Sequence, residues 1–240
     1  PFKLLDILYK KEFILFVVLV SILIINSNIS PYFLDLYNLI DSTFLFSEKA
    51  IIALTMTFVI IARQIDLSVA SIIAVSSCVL GYTTSLGYDT WLVISLTLLS
   101  GAICGAFNGA IITKFAIPSI IVTIGTMSLF RGLAYSFLED SYYNKFPKLV
   151  SNLGGGYLFG YIPYAFLTFI ILAIIFAFIL HKTSVGKKIY SIGNNPDAAQ
   201  YTGIAVDKYT FVLFTLNGLF SALAAIFLSG RLSSVRPNIA

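Results

Sequence analysis

Charge is what this chain has least of. Asp, Glu, Lys and Arg make up 11% of its 240 residues, against about 25% in an ordinary soluble domain. Its single histidine, His181, leaves no basis for a histidine-built metal centre. Its two cysteines, Cys78 and Cys104, both fall in apolar runs, so they read as small packing residues and not as a disulfide or metal framework. Signatures of catalysis are missing too. Ser184-Val-Gly-Lys187 lacks the first glycine and the final hydroxyl residue of a phosphate-binding loop, so the chain is not expected to hydrolyse ATP by itself. There is no His-Glu-x-x-His, no Gly-x-Ser-x-Gly and no pair of intramembrane aspartates. No catalytic residue, metal or cofactor is expected, and the chain reads as a non-enzyme. The net charge is +4, but the basic residues form no patch interleaved with aromatics, which argues against nucleic acid as a partner. The first apolar run is followed by Asn26-Ser-Asn28 and not by a small-x-small cleavage site, so no cleavable signal peptide is expected.

What the chain has instead is hydrophobicity. Hydrophobic residues make up 58% of it and the mean hydropathy is +0.94. The apolar runs are too long and unbroken for membrane β-strands of about 10 alternating residues. The expected fold is all-α, a polytopic membrane helical bundle forming a single domain over 1–240. Seven spans are expected, roughly Phe13–Ile29, Phe44–Ala62, Leu67–Tyr82, Trp91–Ile112, Pro118–Phe137, Tyr161–Leu180 and Tyr209–Ser229. Residues 2–10 place apolar groups at helical spacing beside lysines and predict an interfacial helix. Lys3, Lys10, Lys11, Arg63, Lys114, Lys182, Lys187, Lys188 and Lys208 all fall on one side if the N-terminus is cytoplasmic. The loops at 30–43 and 83–90 carry no Lys or Arg, so the positive-inside rule favours that orientation. In the loop at 138–160, Asn152-Leu-Gly-Gly-Gly156 reads as a flexible turn.

One long polar interruption, 181–208, lies between two spans and is expected in the cytoplasm. Inside it Asn195 is a good N-cap, Pro196 suits the first helical position and Gly203 suits the residue past the end. A two-turn helix over about 196–202 follows. So short a helix is marginal alone and should be docked. A small helix held out in a basic loop offers a handle to a soluble partner.

Four other features bear on chemistry. In Arg63-Gln-Ile-Asp-Leu-Ser68, Asp66 is a candidate N-cap; the flanking apolar cores, Ala50–Ala62 and Leu67–Tyr82, are only 13 and 16 residues long. Broken helices of that kind build substrate paths, and a tight turn anchored by Arg63 is the equal alternative. Glu48-Lys49 reads preferentially as a pair stretching to the interface, and less as an intramembrane ion pair. Gly101, Gly105 and Gly109, each followed by alanine, put a smooth strip on one helical face for close helix packing, with Asn108 beside it needing a partner in a neighbouring helix or in a path. Thr123, Gly125, Thr126 and Ser128 make an unusually polar stretch, and Arg131 lies about two turns from Thr123. Arg131 faces either a polar interior or the outer interface. The candidate translocation path is therefore Asp66, Ser68, Asn108, Thr123, Thr126 and Arg131.

Several segments resemble one family: the membrane-spanning permease subunits of bacterial ABC importers of the ribose/simple-sugar class. They are Ile65-Asp-Leu-Ser-Val-Ala-Ser71, Ile117-Pro-Ser-Ile-Ile-Val-Thr-Ile-Gly-Thr-Met-Ser-Leu-Phe-Arg-Gly-Leu133, Gly186-Lys-Lys-Ile-Tyr-Ser-Ile-Gly-Asn-Asn195 and Ala198-Ala-Gln-Tyr-Thr-Gly-Ile204. Gly230-Arg-Leu-Ser-Ser and Pro237-Asn238 complete the match, which runs in order from about residue 45 to the end. The resemblance implies a bacterial inner-membrane protein that moves a small sugar by alternating access. Its implied partners are a cytoplasmic ATP-binding subunit, an extracellular or periplasmic sugar-binding protein, a second permease chain and the bilayer. It also implies that Asn195, Pro196, Asp197, Ala198, Ala199 and Gly203 belong to a coupling segment docking on the ATPase, Asp197 standing where the family carries Glu. Arg63-Gln64 stands where the family usually carries Gly-Gly, which points toward its rhamnose or autoinducer-2 members. The family has further C-terminal spans, so the chain, which starts at Pro1 without Met, is expected to be truncated. The alternative from the residues alone is an ion-coupled secondary transporter of a small polar solute, for which only Glu48 and Asp66 are candidate coupling acids.

Overall fold

In the bilayer core no water is available to backbone amides, so spanning segments must satisfy their hydrogen bonds internally. The structure, a computed structural model, describes residues 11–138 and 143–235. The interfacial helix read over 2–10, and Pro237-Asn238, lie outside the described residues. The chain divides into two compact units, Pro1–Thr43 and Phe44–Ala240. The first unit contains α1 (Lys11–Ile29) and the opening of α2 (Leu36–Ile61). In α1 the polar side chains fold back onto their own helix: Ser21 Oγ donates to the Val17 carbonyl and Asn26 Nδ2 to that of Ile22, both at 2.8 Å.

The second unit continues α2 and adds α3 (Val69–Ser85), α4 (Thr90–Phe115) and α5 (Ser119–Leu138). A short helix, α6 (Lys148–Gly155), and a hairpin of β1 (Tyr157–Leu158) and β2 (Ile162–Pro163) follow. Then come α7 (Tyr164–Lys182), α8 (Ser184–Asn194), α9 (Pro196–Tyr201) and α10 (Val206–Leu232). The all-α membrane bundle is thus the observed fold. Among the described residues, five helices are long and apolar enough to cross a membrane: α2, α4, α5, α7 and α10. Phe13–Ile29 and Val69–Ser85 are apolar but shorter.

Two local expectations are corrected. Asn152-Leu-Gly-Gly-Gly156 is not a flexible turn, because α6 runs through Gly155. A Cβ at Gly154 would strike the Phe227 carbonyl and the Arg231 amide, so the glycine is there for backbone contact with α10. The interruption at 181–208 is not an open loop with one small helix either. It holds α8 as well, and α10 begins within it at Val206. Gly186, Ile189 and Ile192 of α8 are buried, and Thr183 caps its start by accepting the Gly186 amide.

α10 is the central helix: 56% of its spanning window is buried, against 11% for α7. It packs most extensively against α4. At that seam a Cβ on Gly105 would collide with the Phe214 carbonyl and sit 3.1 Å from Gly218 Cα. One on Gly101 would meet the Gly218 carbonyl and the Ala222 methyl, and one on Gly109 would lie 3.0 Å from Phe211 Cα. Cys78 and Cys104 are buried together with Ile72, Val75 and Phe130 and are free thiols.

Gly105→Val should therefore push α4 and α10 apart and lower stability by at least about 2 kcal/mol. Gly125→Ala, at a position with open space around it, should leave stability level or raise it by up to about 1 kcal/mol. Thermal unfolding of both variants in detergent checks the pair.

Candidate functional site

At the end of α2 the helix stops by a left-handed residue. Arg63 has φ 61, its amide bonds the Ile60 carbonyl at 2.9 Å and the Gln64 amide bonds that of Val59 at 3.0 Å. This is a Schellman ending, which normally places glycine at the left-handed position. Residues 64–68 then run without helical structure to α3.

That segment carries a buried polar network. Asp66 is 2% exposed. Its Oδ1 accepts the Ser68 amide at 2.9 Å and the Ser68 hydroxyl at 2.7 Å, and its Oδ2 accepts Asn217 Nδ2 of α10 at 2.8 Å. The N-cap position of α3 belongs to Ser68 and not to Asp66, whose carboxylate closes a turn ahead of the helix. Asn217 Oδ1 accepts the Thr55 hydroxyl of α2 at 2.7 Å. Asn108 Nδ2 of α4 donates to Ser68 Oγ at 2.8 Å. From α5, Thr123 donates to the Ile65 carbonyl at 3.3 Å, and Ser119 Oγ accepts the Ile65 amide at 3.0 Å. The segment is thereby tied directly to α4, α5 and α10 and, through Asn217, to α2; the carboxylate itself takes its donors from Ser68 and Asn217, because a buried charge must find them within the protein. Asn108 Oδ1 is buried without a hydrogen-bond partner, which leaves an open acceptor in the network. Thr126 lies beside Thr123, to whose carbonyl it donates at 3.4 Å. Arg131 stands about two turns farther along α5, partly exposed. Thr55 and Asn217 escape the sequence reading because a lone hydroxyl or amide inside an apolar run resembles an ordinary packing residue.

A second polar contact lies between the middle of α2 and the last turn of α10. Arg231 meets Glu48 in a two-pronged ion pair, Nε to Oε1 at 2.8 Å and Nη2 to Oε2 at 3.0 Å. Glu48 is 4% exposed. The reading of Glu48 as reaching outward to an interface is corrected: Arg231, distant in sequence, arrives with α10 and neutralises it inside the protein.

The third element is the pair α8–α9. Asn195 accepts the Ala198 amide at 3.1 Å, Pro196 opens α9 and Asp197 lies in its first turn. The exit is again a Schellman ending. Gly203 has φ +84, its amide bonds the Gln200 carbonyl at 2.9 Å and the Ile204 amide bonds that of Ala199 at 3.1 Å. One face docks: Ala199 is buried in a cluster with Phe58, Val59, Ala62, Ile189 and Ile192. The other carries Tyr201, which is 93% exposed. Gly193 of α8 lies against the Ile61 carbonyl, at the ending from which the Asp66 segment starts. The helical handle and the polar network are therefore neighbours through α8.

Among the described residues no group of His, Cys, Asp or Glu is arranged to hold a metal ion.

The family described as branched-chain amino acid transport system / permease component matches residues 38–240. The chain is 34% identical to the ribose import permease protein RbsC of Haemophilus influenzae, over 93% of this chain and 70% of that protein. It is 37% identical to RbsC of Bacillus subtilis with the same coverage. The autoinducer 2 import system permease protein LsrD of Klebsiella pneumoniae is 32% identical over 95% of this chain and 70% of its own length. No solved structure matches the chain significantly.

Removing one partner of the buried pair should cost more than removing both. Arg231→Leu is expected to destabilise by about 3–5 kcal/mol by leaving Glu48 uncompensated, and Glu48→Leu combined with Arg231→Leu should recover most of that loss. Unfolding of the single and double variants in detergent measures the difference.

Proposed function

The chain belongs to the family of branched-chain amino acid transport system permease components, and from that premise we propose how it works as the membrane-spanning subunit of an importer of a small sugar. ATP is hydrolysed by a separate cytoplasmic chain. That chain grips α9, and its closure shifts α9 and α8 as a unit. Asn195, Pro196, Asp197, Ala198, Ala199 and Gly203 shape the gripped segment, and Tyr201 is its anchor in the partner's groove. The N-terminus and the 181–208 region face the cytoplasm, and a soluble sugar-binding protein delivers solute to the opposite face. A second permease chain completes the path. Ribose and autoinducer 2 are the solutes named for the relatives, so the substrate class is a small polyhydroxylated sugar or sugar-like furanose.

The observation that carries this reading is α9 itself. It is capped at both ends, buried on one side at Ala199 and open on the other at Tyr201. A helix this short holds its form only because the bundle supports it, so displacement of the helix is passed to what supports it. The contact of Gly193 with the Ile61 carbonyl leads that displacement to the segment holding Asp66. Asp66, Ser68, Asn108, Thr123, Thr126 and Arg131 then mark the polar route across the bundle. The hydroxyls and amides of that route suit sugar hydroxyls, and Asn108 Oδ1 supplies a free acceptor. Family membership favours this over an ion-coupled carrier, for which Glu48 is already engaged by Arg231.

Two measurements test the reading. Tyr201→Ala should reduce co-purification of the ATP-binding chain by about tenfold, the scale of a buried aromatic anchor, while membrane insertion is unchanged. Gly203→Val forces a β-branched side chain into the left-handed region and should abolish sugar uptake while ATP hydrolysis by the assembled complex persists. Full uptake by both variants would exclude α9 as the coupling element.

A further inference from the structure

Beside α9 lies a cavity of about 650 Å³, bounded by α2, α7, α8 and α10. Its size falls in the range of small-molecule sites, yet its walls do not suit a sugar. Phe58, Phe176, Ile179, Leu213 and Leu216 dominate them. Among the described residues, the charged ones in the lining are Lys188 and Lys208. Lys188 Nζ stands 5.8 Å from the centre of the Tyr209 ring, and Lys208 is the residue before Tyr209, so both cations share one stretch of the rim. Among the described residues no acidic side chain lines the cavity, and the adjacent Asp207 is not part of it.

An apolar cleft with two ammonium groups at one end has the amphiphilic pattern of a phospholipid with net negative charge. We propose that this cavity is a binding site for an anionic phospholipid, its acyl chain lying along Phe58, Phe176 and Leu213 and its phosphate held by Lys188 and Lys208. Three observations favour a lipid as the occupant. The charge at the rim is of one sign. The wall helix α7 is the most apolar of the spans, with mean hydropathy 2.5, and only 11% of its window is buried within the protein, so the cleft adjoins the lipid-facing side. Lys188 lies in the amphipathic helix α8, which follows the end of span α7, and Lys208 in the first turn of span α10, positions suited to phospholipid headgroups. Gly203, Ile204 and Ala205 also line the cavity, so the bound lipid supports the exit of α9 from below.

The test is native mass spectrometry of the detergent-solubilised full chain after addition of phosphatidylglycerol or phosphatidylcholine. The wild type should retain phosphatidylglycerol in preference. K188Q/K208Q should lower that retention about tenfold or more, whereas K182Q/K187Q, removing the same charge outside the cavity, should leave it within about twofold. Leu216→Trp, which fills the cleft from its wall, should lower retention of either lipid. No preference for the anionic lipid, equal loss in both lysine pairs, no lipid retained by the wild type, or displacement of the lipid by glycerol phosphate alone would each overturn the proposal. The first two would mean general surface charge. The third would mean that a protein segment or a second copy covers the cleft, and the last that the headgroup needs no acyl site.

Discussion

Asp66 is the point on which the bundle is tied together. A carboxylate this deep in a protein bathed by hydrocarbon has no water to turn to, so donors must come from the chain itself. They come from Ser68 next to it and from Asn217, far along the sequence in α10. Each donor is held in turn, Ser68 by Asn108 and Asn217 by Thr55. The result joins α2, α4 and α10 around a segment with no regular structure, and α5 holds the same segment through the backbone of Ile65. Moving any one of these helices disturbs the hydrogen bonds of the others.

Close approach of α4 and α10 is what brings Asn108 and Asn217 to the same place. Gly101, Gly105 and Gly218 let the two backbones meet where any side chain would hold them apart. Small residues do this work in membranes because lipid tails are as apolar as leucine, and burial of apolar surface gives little reason for helices to associate. Packing and hydrogen bonding replace it. The Glu48–Arg231 pair adds a further link between α2 and α10.

The short helix α9 is seated within the same constraints. It is docked through Ala199 on the same apolar cluster that receives Ile189 and Ile192 of α8 and Val59 of α2. Gly193 brings α8 onto the last carbonyl of α2, next to the Arg63 turn. In the proposed coupling, contacts between rigid neighbours carry displacement of α9 toward the hydrogen-bonded segment around Asp66. A cleft that holds lipid beneath the exit of α9 would add the bilayer to the things this helix feels.

The class of fold, the approximate positions of the long helices, the caps of α9 and the glycine strip of α4 were all legible in the residues, because each depends on short-range patterns. Apolar run length, an Asn-Pro pair and glycines four apart carry their meaning within one or two helical turns. The family was legible too, through colinear segments such as Ile65-Asp-Leu-Ser68. Tertiary structure alone decided the rest. That Glu48 meets Arg231, that Asn217 and Thr55 complete the site of Asp66, that Gly154 marks a helix in contact with α10 and that Tyr201 is left bare are facts about which distant segments arrive together. Hydropathy has no direction in space: an amide or a carboxylate in an apolar run looks the same whether lipid, protein or another chain lies opposite. Only the folded arrangement of the helices chooses among them.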